Sequence, residues 1–118
     1  MSRGLRFPRT KRLTAAAEFQ GVREEGRLTR GEILSLGVLL TGSADMRAGF
    51  VTSRKVGGAV VRNRVRRRLR EIVRRHQHEI LDGVWVVTIA SPRAARASYA
   101  ALEDEWLRLA RRAFILAP

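Results

Sequence analysis

The stretch Arg62-Asn63-Arg64-Val65-Arg66-Arg67-Arg68-Leu69-Arg70-Glu71-Ile72-Val73-Arg74-Arg75 sets two demands on one helix-length segment, since it must bury a side and also hold a dense positive charge. At about 100° per residue, Val61, Val65, Leu69, Ile72 and Val73 share one side of the helix, and Asn63, Arg67, Arg70 and Arg74 share the other. The fold must therefore supply an apolar layer for the first side and leave the second side to a partner.

Charge identifies the kind of partner. From Arg54 to Arg75 there are ten basic residues against one acid, Glu71, in a chain of 118 residues with a formal net charge of +13. Such a cluster repels itself, and a polyanion or anionic surface relieves the repulsion. All but one of the ten are Arg, whose planar fork binds phosphate bidentately and stacks on bases. A solvated helix face would interleave acids at i,i+4. Here Arg62, Arg66, Arg70 and Arg74 form one i,i+4 row, which points to structured nucleic acid.

Length and composition fit one domain spanning 1–118 with a modest core, at 45% hydrophobic residues. The absence of Cys removes disulfides, thiolate chemistry and sulfur metal sites, and suits a reducing cytosol. Residues 1–12 are basic, but neither a long apolar run nor a small-residue cleavage site follows them. No stretch approaches membrane-spanning length, so a cytoplasmic chain is expected.

Working outward from the arginine segment, residues 1–13, broken by Pro8, read as extended or loosely ordered. Thr14 caps a short helix from about Ala15 to Glu24, with Phe19 and Val22 on one face. Residues 33–40 and 48–53 read as strands joined by a turn at 41–45, an antiparallel hairpin, with a further short strand allowed between Gly26 and Gly31. Gly57-Gly58 breaks the chain before the arginine helix, predicted from about Ala59 to Glu79. The near-continuous apolarity of Val84 to Ala90 predicts a central, parallel-paired strand. Ser98 caps a last helix whose Tyr99, Leu102, Trp106, Leu109, Ala110 and Ala113 should lie on the sheet; its acids come early and its arginines late, complementing the helix dipole. The order helix, strands, helix, strand, helix gives a two-layer α/β (α+β) sandwich.

The run Ser53-Arg54-Lys55-Val56-Gly57-Gly58-Ala59-Val60-Val61-Arg62-Asn63-Arg64-Val65-Arg66-Arg67-Arg68-Leu69-Arg70-Glu71 resembles the signature of the bacterial ribonuclease P protein subunit, in which Arg-Asn-Arg, a hydrophobic residue and two basic residues follow a Lys-x-x-Gly-x-Ala element. Arg12-Leu13, Glu18-Phe19-Gln20, the basic 26–31 connection and the later strand and helix occur in the family's order. The resemblance implies a fold like domain 2 of ribosomal protein S5, with a left-handed crossover through the arginine helix, where general rules favour the right-handed form. It also implies a protein that joins a catalytic RNA, one protein per RNA. That ribonucleoprotein removes the 5′ leader of precursor tRNA, with the RNA positioning the Mg²⁺ ions that activate water.

Carried over residue by residue, the resemblance assigns Arg62, Asn63, Arg64, Arg66, Arg67 and Arg70 to the RNA subunit, with Arg54, Lys55 and Arg74 beside them. Asn63 either bonds a phosphate or base edge, or ties down the strand-to-helix junction. Arg62, about 50° from the centre of the apolar face, either joins the RNA-facing set or reaches the sheet cleft. For the leader the resemblance implies a cleft between the first helix and the sheet, with Phe19, Arg12, Arg23 and Ser35 as its contacts. Phe19 either stacks on a single-stranded base or packs in the core. Arg23 and Ser35 stand where relatives often carry rings, so the grip leans on charge and backbone.

Catalysis by protein side chains is not expected. Ser53, His76, His78 and the scattered carboxylates form no nucleophile, base and orienter set. His76 and His78 diverge on a helix, so no metal site is expected. A small ribosomal-type RNA-binding protein would share the basic helix without needing the extended signature. Membrane-binding basic helices usually carry bulky aromatics, whereas this one carries Val, Leu and Ile.

Overall fold

A computed structural model of the chain describes residues 12–13 and 16–118; Thr14 and the basic residues 1–11 lie outside the described residues. The elements are α1 (Ala16–Glu25), β1 (Arg27–Arg30), β2 (Leu34–Leu40), β3 (Arg47–Val51), α2 (Ala59–His76), β4 (Val84–Ala90) and α3 (Tyr99–Arg112), with 3₁₀ turns at Gln77–Glu79 and Pro92–Arg96. The arginine helix and the cap at Ser98 match expectation. The Ser98 hydroxyl accepts a hydrogen bond from the Ala101 N–H.

The sheet order is β1-β2-β4-β3. The hairpin lies between β1 and β2, in the register Arg27↔Val38 to Arg30↔Ser35. The expected hairpin between β2 and β3 is corrected: these strands run in opposite senses, but β4 lies between them, antiparallel to β2 and parallel to β3. The physical reason is burial. β4 is the most continuously apolar strand, so the centre of the sheet, where both edges are bonded and both faces covered, is its best position. The connection after β2 accommodates this by crossing the start of β4, where Thr41 donates to the Gly83 carbonyl through its N–H (2.8 Å) and its hydroxyl (2.9 Å). The crossover from β3 to β4 is α2.

Strand alternation divides the side chains between two faces. Leu34, Leu36 and Val38 with Val84, Val86 and Thr88 meet α2 and α3, forming the two-layer body. Val65, Leu69, Ile72 and Val73 of α2 are at most 1% exposed. Their burial contributes about 6–12 kcal/mol, whereas three like-charged i,i+4 contacts in the arginine row cost about 0.6–1.5 kcal/mol. Burial therefore decides that the segment is a helix docked on the sheet despite its charge.

On α3, Trp106 is fully buried and its indole N–H donates to Thr88 Oγ1 at 3.0 Å. Glu105, not foreseen as a core residue, is 4% exposed; its Oε2 accepts from the Ile33 and Leu34 N–H groups at 2.7 Å each. This carboxylate ties α3 to the turn between β1 and β2.

The opposite face carries α1. Val22 packs with Leu13 and Val87, and Phe19, Leu39, Trp85 and Ile89 surround them. Arg47 donates to Glu18 Oε2 at 2.5 Å and lies over the Trp85 ring, 5.4 Å from its centroid, holding α1 to the start of β3. Arg12 and Leu13, at the end of the stretch read as extended or loosely ordered, run beside β3, where the Leu13 N–H donates to the Ala48 carbonyl at 2.9 Å.

Candidate nucleic-acid interface

The turn that launches α2 requires glycine. Gly57 has φ 154°, and a β-carbon there would come within 3.0 Å of Val61. Gly58 caps the helix without a side-chain hydrogen bond, and the first turn contains no acid. The first N–H groups of α2 and its dipole are thus open to an anion, with Arg54 and Lys55 exposed on the preceding turn.

The arginines of α2 divide into three sets. Arg67 and Asn63 are exposed on the side opposite the core, and the Arg67 side chain makes no hydrogen bond or ion pair among the described residues. On the β3 side, Arg66 donates to Thr52 Oγ1 (2.6 Å) and Asn63 Oδ1 (3.1 Å), so Asn63 orients its neighbour one turn on. Arg70 lies over Phe50, 6.0 Å from the ring centroid, and its Nε is buried with no hydrogen-bond partner among the described residues. Burial, then the Arg12 and Arg66 charges, press the Arg70 pKa below the usual guanidinium value. The third set faces the Pro92–Arg96 turn, where Arg64 donates to the Ala95 carbonyl (3.2 Å) and Arg68 to the Ala97 carbonyl (3.3 Å). Arg62 is half-buried, with its Nε lacking a hydrogen-bond partner among the described residues, and it does not line the cleft under α1.

Arg74 is held by Glu71 through its Nε (3.0 Å) and a second guanidinium contact, leaving its side chain 14% exposed. The Arg74 hydrogen bonds lower the Glu71 pKa. His76 is also enclosed: Nδ1 meets Glu79 at 2.6 Å, Nε2 meets Glu103 at 2.9 Å, and the ring stacks on Trp106. Among the described residues no group of three or more His, Cys, Asp or Glu is placed to hold a metal ion.

Two cavities meet at Phe19. The larger, about 320 Å³, lies between α1 and the sheet, walled by Val22, Gly37, Val51, Val87 and Ile89, with Arg23 and Arg27 at its rim. The smaller, about 190 Å³, brings Arg12 and Phe19 together with Phe50, Arg66 and Arg70. The Phe19 ring lies flat enough on Gly49 that a β-carbon there would sit 2.7 Å from Cε1 and Cζ. Phe19 is therefore both packing and cavity wall. Ser35 is on the same face of β2, two residues from Gly37, but does not line the larger cavity.

Arg66 and Arg70 of α2, separate from Arg12 and Phe19 in the sequence reading, thus meet them beside β3, while Arg23 and Arg27 rim the adjoining cavity under α1. Arg27, which pattern reading missed, belongs to it; its signal was the hairpin register that sets it beside α1. Arg93 and Arg96, exposed on the 3₁₀ turn held by Arg64 and Arg68, were also missed, since only tertiary contacts carry them to α2.

The family model for ribonuclease P matches residues 7–114. The "Ribonuclease P protein component" of Chloroflexus aurantiacus is 41% identical over 109 residues, covering 92% of this chain and 81% of the relative. The protein of the same description from Acidothermus cellulolyticus is 42% identical over 106 residues, covering 87% of this chain and 88% of the relative. The solved RNase P protein from Thermotoga maritima superposes with a TM-score of 0.78 at 28% identity, covering 86% of this chain and 96% of that one.

Proposed function

The chain belongs to the ribonuclease P protein family, and on that premise we propose how its basic side chains divide between two RNAs. As a protein component of ribonuclease P it partners the catalytic RNA and acts on precursor tRNA, the ribonucleoprotein cleaving a phosphodiester to release the 5′ leader. The observation that carries the division is the split orientation of α2. Arg67 and Asn63, with Arg54 and Lys55 at its start, point away from the sheet and meet the RNA subunit; Arg66 and Arg70 turn toward Phe19 and Arg12. Arg62 joins the first set. Arg64 contributes through the turn it holds, and Arg74 through its pair with Glu71.

The leader lies across the cleft under α1, its bases against Phe19 and the apolar walls, its phosphates against Arg12, Arg23 and Arg27. Ser35 extends the same face of the sheet. Side chains of this chain bind and orient RNA. Mg²⁺, held mainly by the RNA subunit, supplies the activated water. One protein serves one RNA, in the cytoplasm. The lack of cysteine supports that location, and among the described residues no helix is long and apolar enough to cross a membrane.

Reconstitution tests the reading. Adding the protein to a bacterial ribonuclease P RNA at low Mg²⁺ is expected to stimulate cleavage of precursor tRNA at the leader junction. No stimulation over RNA alone would leave a plain RNA-binding protein of the ribosomal type.

A further inference from the structure

The C-terminal end of α3 closes in a Schellman motif. The Phe114 N–H donates to the Arg111 carbonyl (3.1 Å), the Ile115 N–H to the Ala110 carbonyl (3.2 Å), and Ile115 is fully buried. Phe114 occupies the left-handed position, φ 58°, which glycine usually fills because a β-carbon is strained there. Its ring recovers nothing by burial, being 81% exposed. Neither folding nor packing accounts for a phenyl group at this point, and strain kept at an exposed position is a mark of function.

The ring's surroundings indicate what it meets. Arg111 and Arg112, in the turn before it, are exposed, and their guanidiniums make no hydrogen bond or ion pair among the described residues. Phe114 and Arg111 line a concavity of about 450 Å³, with Glu79, Leu116, Ala117 and Pro118 as its other walls. Glu79 is already engaged by His76. The segment after Phe114 is pinned, since the Ala117 N–H donates to the Glu79 carbonyl (2.6 Å) and the Leu81 N–H to the Ile115 carbonyl (2.8 Å). The backbone that carries the ring is therefore fixed before any partner arrives. Phe114 and the two arginines lie beside the turn that follows α2, whereas the signature residues Arg62 to Arg70 lie about 9–21 Å back along that helix.

We propose that Phe114, Arg111 and Arg112 form a second RNA contact, on which one unpaired nucleobase stacks while its flanking phosphates meet the two guanidiniums. A nucleobase offers a π-face to the ring, and its phosphates suit arginine forks. The proposal rests on the reading that the chain binds ribonuclease P RNA.

Phe114→Gly is the informative change, because glycine keeps the left-handed turn and removes only the ring. It is expected to leave the melting temperature unchanged or raised and to weaken binding about fivefold or more, with Phe114→Trp restoring the affinity. Titrations with ribonuclease P RNA alone and with precursor tRNA on the assembled holoenzyme show which RNA supplies the base, and loss in either supports the contact. Arg67→Ala, measured in parallel, separates the two ideas. Weakening by Arg67→Ala but not by Phe114→Gly overturns the second contact and keeps the RNA-subunit reading; weakening by neither removes both. A lower melting temperature with unchanged affinity would make Phe114 structural. Altered self-association in sedimentation, with RNA affinity intact, would make the patch a protein interface; either result overturns the proposal.

Discussion

Arg64 Nη2 donates to the Ala95 carbonyl at 3.2 Å, so the second arginine of the Arg-Asn-Arg signature braces the turn that leads into α3. Its exposed neighbour Arg67 has no such engagement. The two should behave differently. Arg67→Ala is expected to leave the melting temperature unchanged and to lower the log-log salt slope of RNA binding by about 0.7–0.9. Arg64→Ala is expected to destabilise the fold by about 1 kcal/mol, the worth of one such bond, with a smaller change in slope. Equal slopes for both variants would mean that Arg64 reaches phosphate as well.

Phe19 and Gly49 form a second testable pair. A methyl group on Gly49 would land 2.7 Å from the ring, so Gly49→Ala should displace Phe19 from the wall shared by the two cavities. Affinity for precursor tRNA is expected to fall while affinity for mature tRNA holds. Phe19→Ala should do the same by about 1–3 kcal/mol if the ring stacks on a base. Circular dichroism melts on both variants check that the fold survives; an equal loss for mature tRNA would place the ring outside the leader path.

Glu105 is the buried charge on which the β1–β2 turn depends. Removing its carboxylate in Glu105→Ala strands the Ile33 and Leu34 N–H groups, and a cost of about 2–4 kcal/mol is expected. Urea denaturation should show a lower midpoint with an unchanged m-value. A loss under 1 kcal/mol would mean that water replaces the carboxylate.

The pH dependence of the Glu71–Arg74 pair has a definite sign. Because Arg74 lowers the Glu71 pKa in the folded protein, the stabilisation is present above the ordinary carboxylate range and disappears as pH falls through the lowered value. Glu71 is 43% exposed, so the contribution is below about 1 kcal/mol. Comparing Glu71→Gln with the parent chain at neutral pH and near pH 2 should show the difference vanish at low pH.

Periodicity made much of this molecule readable before its structure. The two sides of α2, the central position of β4 and the cap at Ser98 each follow from residues adjacent in sequence or on one helix face. What pattern could not give was pairing between distant segments. A strand's apolarity says that it is buried, but not that β4 slips between β2 and β3. Glu105 resembled its acidic neighbours Glu103 and Asp104, and only the approach of the β1–β2 turn turns it inward. The same holds for the site. Charge marked α2 as the helix expected to face a polyanion, but which arginines stay free depends on carbonyls at Ala95 and Ala97 that no local rule connects to them.

The placement of β4 also affects the order of synthesis. The strand that joins both halves of the sheet follows α2 in the chain, so a nascent polypeptide ending before Val84 has two strand groups with nothing between them. The apolar side of α2 therefore lacks the central strand of its seat until Val84 to Ala90 are available to pair. The cavity under α1 is likewise complete only when β4 has joined the sheet, since Val87 and Ile89 are among its walls.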